Sequence, residues 1–323
     1  MARRLGRPDL ESAALDAAMS GWTARGVYNR TKHLIERRLE LVDSISDPWE
    51  LGDIYGMAAW TAVCIGAYRE ASAFADKGSV ITVEELPGIA IHNLSWRAIA
   101  RYRLGEWEGF FTDIATIEKL LGGRQPPYFG ARPYAAAALV HEIRGNLDAG
   151  KGEDLLKWSA WLAPLLLRRG DPEEALRLVE GAEKTPRSHT LRAFNLETYC
   201  EVVASTERWD RAEEVLAVSR AFAAESDSAT LAFAADVLEG RAAFANGDAA
   251  RAILLLERGH DGLASFEVVW EAARCDLYLA EALISAGRRD EAAASLARGT
   301  PVFERLGAIA ELKRSGELQG SIG

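Results

Sequence analysis

The 323-residue sequence predicts an all-α fold, an α-solenoid of about eight antiparallel helix pairs with an irregular stretch near residues 146–170 and a C-terminal capping helix. Three observations predict it. A short phrase recurs along the chain with a period near 40 residues. Helix-start chemistry falls where that period places a start. Finally, no stretch joins β-branched alternation to an Asn-Gly or Asp-Gly hairpin turn, and Val80-Ile81-Thr82-Val83, the only β-like run, reads as a helix end and linker.

The phrase is a small residue, six mostly apolar or helix-forming residues, a glycine anchor, an aromatic or acidic residue, and a small residue further on. The anchors stand at 26, 66, 105, 145, 170, 207, 247 and 287, spaced 40, 39, 40, 25, 37, 40 and 40. Seven residues before the anchor the chain carries Met19, Ala59, Ala98, Ala138, Ala163, Cys200, Gly240 and Ala280. All but Met19 are small, as a helix crossing requires, because a larger side chain would hold the two axes apart. The anchor glycine suits a helix C-terminus entering the left-handed region. Glu207 stands where a glycine is expected, so its turn is expected to close differently. Tyr28, Tyr68, Trp107 and Trp209, two residues past their anchors, are placed to pack back over the turn. Ala71, Ala175, Ala212, Ala252 and Ala292, five past, let the second helix lie close to the first.

Asp47-Pro48-Trp49-Glu50 and Asp171-Pro172-Glu173-Glu174 each supply an Asp cap, a proline at the first helical position and early carboxylates against the helix dipole. The helix before Gly287 is apolar on more than one side, through Trp270, Ala273, Leu277, Ala280 and Ile284 and again through Ala272, Cys275, Leu279 and Leu283, and is therefore sandwiched. The short interval before Gly170 leaves no room for a full second helix, and Asp148 to Gly152 reads as a loop. Pro164 is expected to bend a helix over 153–169, and Pro301 to bend or cap one in the last repeat. Residues 1–7 are expected to be a flexible N-terminus, 8–307 the repeat domain, 308–318 the capping helix and 319–323 a frayed tail.

The small residue, the Gly-x-aromatic turn and the following Ala resemble the tetratricopeptide repeat family at that family's spacing. The longer pitch, Asp47-Pro48-Trp49-Glu50 and the closing run from Trp270 through Gly287-Arg-Arg-Asp-Glu-Ala292 to Phe303-Glu-Arg-Leu-Gly307 resemble the helical C-terminal regions of large bacterial signalling ATPases. Those carry a nucleotide cyclase domain or a DNA-binding helix-turn-helix beside the ATPase. The resemblance spans about residues 8 to 318. It implies a right-handed superhelix and a cytoplasmic protein-interaction, adaptor or sensor module of a signalling or transcription-regulatory system.

Composition sets the outer limits. With 38 Lys+Arg against 48 Asp+Glu the net charge of −10 argues against a direct nucleic-acid or anionic-membrane partner. No window approaches a membrane span, and no apolar stretch follows the N-terminal basic residues as a signal peptide requires. Cys64, Cys200 and Cys275 are far apart and read as buried small hydrophobes. Gly122-Gly123-Arg124 and Gly150-Lys151-Gly152 lack phosphate-loop spacing, and His141-Glu142 lacks the second histidine of a zinc helix. No cofactor, metal or catalytic constellation is expected.

What remains is the concave face, lined by the first helix of each pair. Positions 13, 10, 6, 3 and 2 before the anchors, taken as inward-facing by analogy with the family, include Asp53, Trp60, His92, Tyr102, Arg103, Arg132, Glu142, Lys157, Arg168, Glu197, Glu201, Arg241, Arg274 and Glu281. Trp60, His92, Tyr102, Arg103, Arg132 and Glu142 set aromatics beside mostly basic groups. They form a candidate groove for an extended peptide or protein segment bearing carboxylates. The alternative is a small-molecule pocket opened by the irregular region and lined by Tyr134, Trp158 and Trp161.

Overall fold

The recurring phrase folds as a helix, a left-handed turn and a helix running back. A computed structural model describes residues 6–127, 130–146, 160–184 and 191–322, and these contain sixteen α-helices and no strand. Seven pairs form across the anchors. They are α1 (Pro8–Thr23) with α2 (Tyr28–Leu39), α3 (Pro48–Cys64) with α4 (Tyr68–Thr82), α5 (Pro87–Arg103) with α6 (Trp107–Leu121), α8 (Ala163–Arg168) with α9 (Pro172–Glu183), α10 (Arg192–Ser205) with α11 (Trp209–Ser226), α12 (Ala229–Ala245) with α13 (Ala249–Ser265), and α14 (Val269–Ser285) with α15 (Arg289–Leu306). Between the third and fourth lies α7 (Ala131–Ile143), and α16 (Ile309–Ile322) follows the last. The loop expected at 148–152, with Lys157 and Trp158, lies outside the described residues.

The anchor glycines adopt φ between 67° and 84°. The amide after the anchor donates to a carbonyl five residues back, as Ala67 N does to Ala62 O at 2.8 Å, which satisfies one of the carbonyls a helix end leaves open. Glu207 corrects the sequence expectation. It takes φ 54°, and Arg208 N donates to Val203 O at 3.1 Å, so this turn closes like the others without a glycine. A Cβ in that region costs about 1–2 kcal/mol, and the turn geometry overrides it.

Asp47 Oδ1 accepts from Trp49 N at 3.0 Å and Asp171 Oδ1 from Glu174 N at 3.2 Å, so both Asp-Pro starts are capped. Pro164 lies in the first turn of α8, where its missing amide is no loss, and Pro301 sits inside the continuous helix α15. The last helix runs to Ile322, so residues 319–322, expected as tail, belong to it. Among the described residues no helix is long and apolar enough to cross a membrane.

Helices α3, α5, α7, α8, α10, α12, α14 and α16 form an inner row in which each touches the next. The array also closes on itself. The turn at Gly66 meets Phe266 and Thr230, so that a Cβ there would stand 2.8 Å from the Phe266 ring. Gly105 meets Val269, its carbonyl accepting from Arg305 Nη1 at 2.9 Å. Gly145 faces Ile309, and Arg144 Nε donates to Leu306 O at 3.1 Å. Arg69 adds an exposed ion pair to Glu267. Two apolar clusters run across this seam, one through Trp107, Trp270 and Phe303, the other through Cys64, Trp96, Phe194, Leu231 and Leu263.

Candidate functional site

Closure turns part of the inner row toward a half-open cavity. The cavity, about 120 Å³ and partly open to solvent, is walled by α5, α7, α8, α10, α12, α13 and α14. At about 10–15 Å³ per water, it has room for roughly ten waters or one compact organic molecule. Its apolar wall is Trp161, Phe194, Trp270 and the aliphatic and small residues between them. Trp161 and Phe194 stand 5.6 Å apart, ring to ring.

Its polar wall is a chain of ion pairs across the seam. Arg103, at the C-terminal end of α5, donates through Nη2 to Glu197 Oε2 at 2.9 Å on α10 and through Nη1 to Glu271 Oε1 at 2.6 Å on α14. Its guanidinium lies 5.4 Å from the Tyr68 ring centre. The Thr230 hydroxyl donates to the other Glu197 oxygen at 2.6 Å. Arg274 pairs with Glu201 and donates to the Tyr278 hydroxyl at 3.0 Å. Glu271 is held above the usual carboxylate range by burial, which outweighs the pull of Arg103. Among the described residues, Arg103 Nε and Glu271 Oε2 are buried without a hydrogen-bond partner.

The candidate residues from the sequence divide into three places. Tyr102 and Arg103 line the cavity. Tyr102 stacks on Trp107 at 6.3 Å and accepts from its indole through the backbone carbonyl at 3.2 Å. Trp60, His92 and Arg132 gather around Trp96. Trp60 stacks on it at 5.8 Å, His92 meets it edge-on at 6.1 Å, and the Arg132 guanidinium lies 5.7 Å from Trp96 and 5.6 Å from Trp161. Desolvation lowers the His92 imidazole to about 4. Arg132 and Trp161 thus link this aromatic group to the cavity wall. Glu142 joins neither; it pairs with Arg169 at 3.3 Å. Asp53, another inward candidate, instead binds the buried Arg38 at 2.8 Å.

Glu197, Glu201 and Arg274 were placed by the inward-facing positions. Trp96 and Glu271 were not, because they lie nine and sixteen residues before their anchors, outside the positions carried over from the family. The signal for Glu271 was its neighbour Trp270, a large aromatic in the first turn of a sandwiched helix. Of the alternative pocket, Trp161 lines the cavity, Tyr134 is buried on α7 with its hydroxyl pushed up to about 12 by burial, and Trp158 is outside the described residues. Cys64, Cys200 and Cys275 are buried free thiols, and burial pushes Cys64 and Cys200 up to about 12.

No protein-family model matches the sequence, and no curated protein is similar to it at a significant level. Among solved structures the chain is similar to a Rap protein complexed with competence and sporulation factor, at 11% identity and a TM-score of 0.49, over 95% of this chain and 85% of that one. By its own helices the chain is an all-α array of stacked antiparallel pairs with a half-open cavity between them.

Proposed function

We propose that the chain is a non-catalytic recognition module that takes its ligand inside the array. The observation that carries this reading is the walled cavity, with apolar aromatics on one side and the Arg103 and Arg274 ion pairs on the other. Concave, mostly apolar spaces with a few placed polar groups are where proteins hold ligands. The ligand is compact, either a small molecule or the end residue of a partner peptide. An extended peptide laid along Trp60, His92, Tyr102, Arg103, Arg132 and Glu142 would compete with the carboxylates that already hold Arg103.

The absence of chemistry in the reading rests on the state of the cavity groups. Glu197, Glu201 and Glu271 are bound by arginines, and the Cys200 thiol, pushed up by burial, stays protonated at neutral pH. The resemblance to the helical regions of bacterial signalling ATPases supports a regulatory setting, in which an occupied cavity stiffens the array and its outer surface reports that state to a protein partner.

Thermal-shift screening of the full chain against metabolite and short-peptide libraries tests this. Ala234→Phe places a ring in the cavity and should abolish every shift found, while the unliganded midpoint stays within a few degrees. Ligands whose shifts survive Ala234→Phe bind elsewhere and would overturn the reading.

A further inference from the structure

The charges around the cavity cancel. Two guanidiniums line it, and both are held by carboxylates of the same wall, Arg103 by Glu197 and Glu271 and Arg274 by Glu201. Two further guanidiniums lie over the tryptophans of that wall, Arg132 at 5.6 Å from the Trp161 ring centre and Arg168 at 5.6 Å from that of Trp270. Arg168 brings its own carboxylate, Glu311. Among the described residues, four guanidiniums thus stand against four carboxylates.

A charged ligand finds no counter-ion waiting for it. An ammonium would have to draw a carboxylate away from its arginine, and a carboxylate would have to draw an arginine away from its glutamate. Either exchange leaves a charge desolvated and unpaired in the wall, which is costly. The aromatic rings do not rescue a cation. Trp161 already has Arg132 over it, and Trp270 has Arg168 and, at 5.9 Å, Arg274. A further cation at these rings meets resident charge of its own sign. An uncharged body meets none of these costs. Trp161, Phe194, Leu263 and Trp270 give it apolar surface. The phenols of Tyr102, which burial keeps protonated, and Tyr278 are neutral polar groups in the same wall.

We propose that the cavity selects an uncharged organic molecule, with an aromatic or hydrocarbon body packed among Trp161, Phe194 and Trp270 and a hydroxyl or carbonyl as its polar group. This rests on the cavity being the binding site, and it adds the ligand's charge state. The end residue of a partner peptide, which carries an ammonium or a carboxylate, is disfavoured with the other ions. No bond is made or broken.

The test is calorimetric titration of the full chain at pH 7 with three probes of matched size, 2-phenylethanol, 2-phenylethylamine and phenylacetate. The alcohol should bind at least tenfold tighter than either ion, and Ala234→Phe should abolish its binding. A smaller separation from either ion overturns the selection for an uncharged ligand and leaves the cavity reading standing. If none of the three binds at millimolar concentration, or if the alcohol still binds to Ala234→Phe, the cavity reading falls and the selection with it. Glu201→Gln tests the cause, because it removes the carboxylate that holds Arg274. In that variant phenylacetate should rise to within about threefold of the alcohol while the amine stays weak. A folded Glu201→Gln that binds phenylacetate no better than the native chain would overturn the assignment of the selection to charge balance. The probe series on the unaltered chain decides the selection itself even where Glu201→Gln fails to fold.

Discussion

His92 and His260 show how one residue type acquires opposite roles from its surroundings. His92 sits among Trp96 and the α3 backbone, and desolvation lowers it to about 4. Its unfolded value is about 6.5, so as pH falls the unfolded chain takes up the proton first. Stability is therefore lost between about pH 6.5 and 4, by up to about 3 kcal/mol, and the loss levels off below 4. His260 runs the other way. Hydrogen bonding to Asp276 raises it, so its contribution is complete below about 6.5 and is lost as pH rises through its folded value. Replacing His92 by Gln should flatten the acid side of the stability curve. Urea midpoints at pH 7 and pH 4.5 should differ less in His92→Gln than in the native chain, and an unchanged difference would mean that His92 is already protonated in the fold.

Single residues also mark what the sequence could and could not reveal. Small residues before each anchor announced the crossings, and Ala59, Ala98, Ala163 and Ala280 are indeed buried. Glu207 was misread because a glycine preference was taken for a requirement. Backbone hydrogen bonds at the turn outweigh the strain of one Cβ, and residue identity alone does not carry that balance.

At the level of the helix, glycine reads in two directions. In α12, a Cβ on Gly240 would meet the Leu256 side chain at 2.9 Å, so this glycine sets the distance between α12 and α13. In α16, Gly316 has nothing within 4 Å. Gly240→Leu should cost about 1–3 kcal/mol by overpacking. Gly316→Ala should instead stabilise by about 0.5–1 kcal/mol, because alanine restricts the unfolded chain and suits a helix interior. Thermal melts of the two variants should move in opposite directions, and a shared direction would contradict the packing described for α12. The period itself carried this much, since helix pairs and their contacts are local in sequence. It did not carry where α8 begins, because Pro164 reads equally as a bend within a helix or as the first turn of one.

The whole molecule is where sequence reading stopped. The family analogy suggested an open concave face, and with it a groove of free arginines. Arg103 is held by Glu197 and Glu271, partners 94 and 168 residues away, and no local pattern reveals pairs at that distance. Arg103 is thus a structural tie as well as a cavity residue. Arg103→Ala strands two carboxylates at the seam and should destabilise the fold by about 3–5 kcal/mol. Equilibrium urea unfolding checks this, and a loss under 1 kcal/mol would mean the carboxylates reach solvent when the arginine is gone. The same cost makes Arg103→Ala a poor probe of ligand binding by itself, which is why Ala234→Phe serves there.

The seam at Gly66, Gly105 and Gly145 also bears on how the chain reaches its fold. An open stack of repeats contacts only neighbours, can begin folding anywhere and frays from its ends. Here the third pair must find the last one across some 200 residues, as Arg305 does in reaching the Gly105 carbonyl. Closing so long a loop costs entropy before any seam contact repays it, and raises the contact order toward that of slow-folding topologies. Once closed, α3 to α7 and α10 to α16 hold one another, so neither can melt without exposing the other's apolar face. By its long-range seam this protein should fold with the kinetics of a globular domain, although its sequence is written as a repeat.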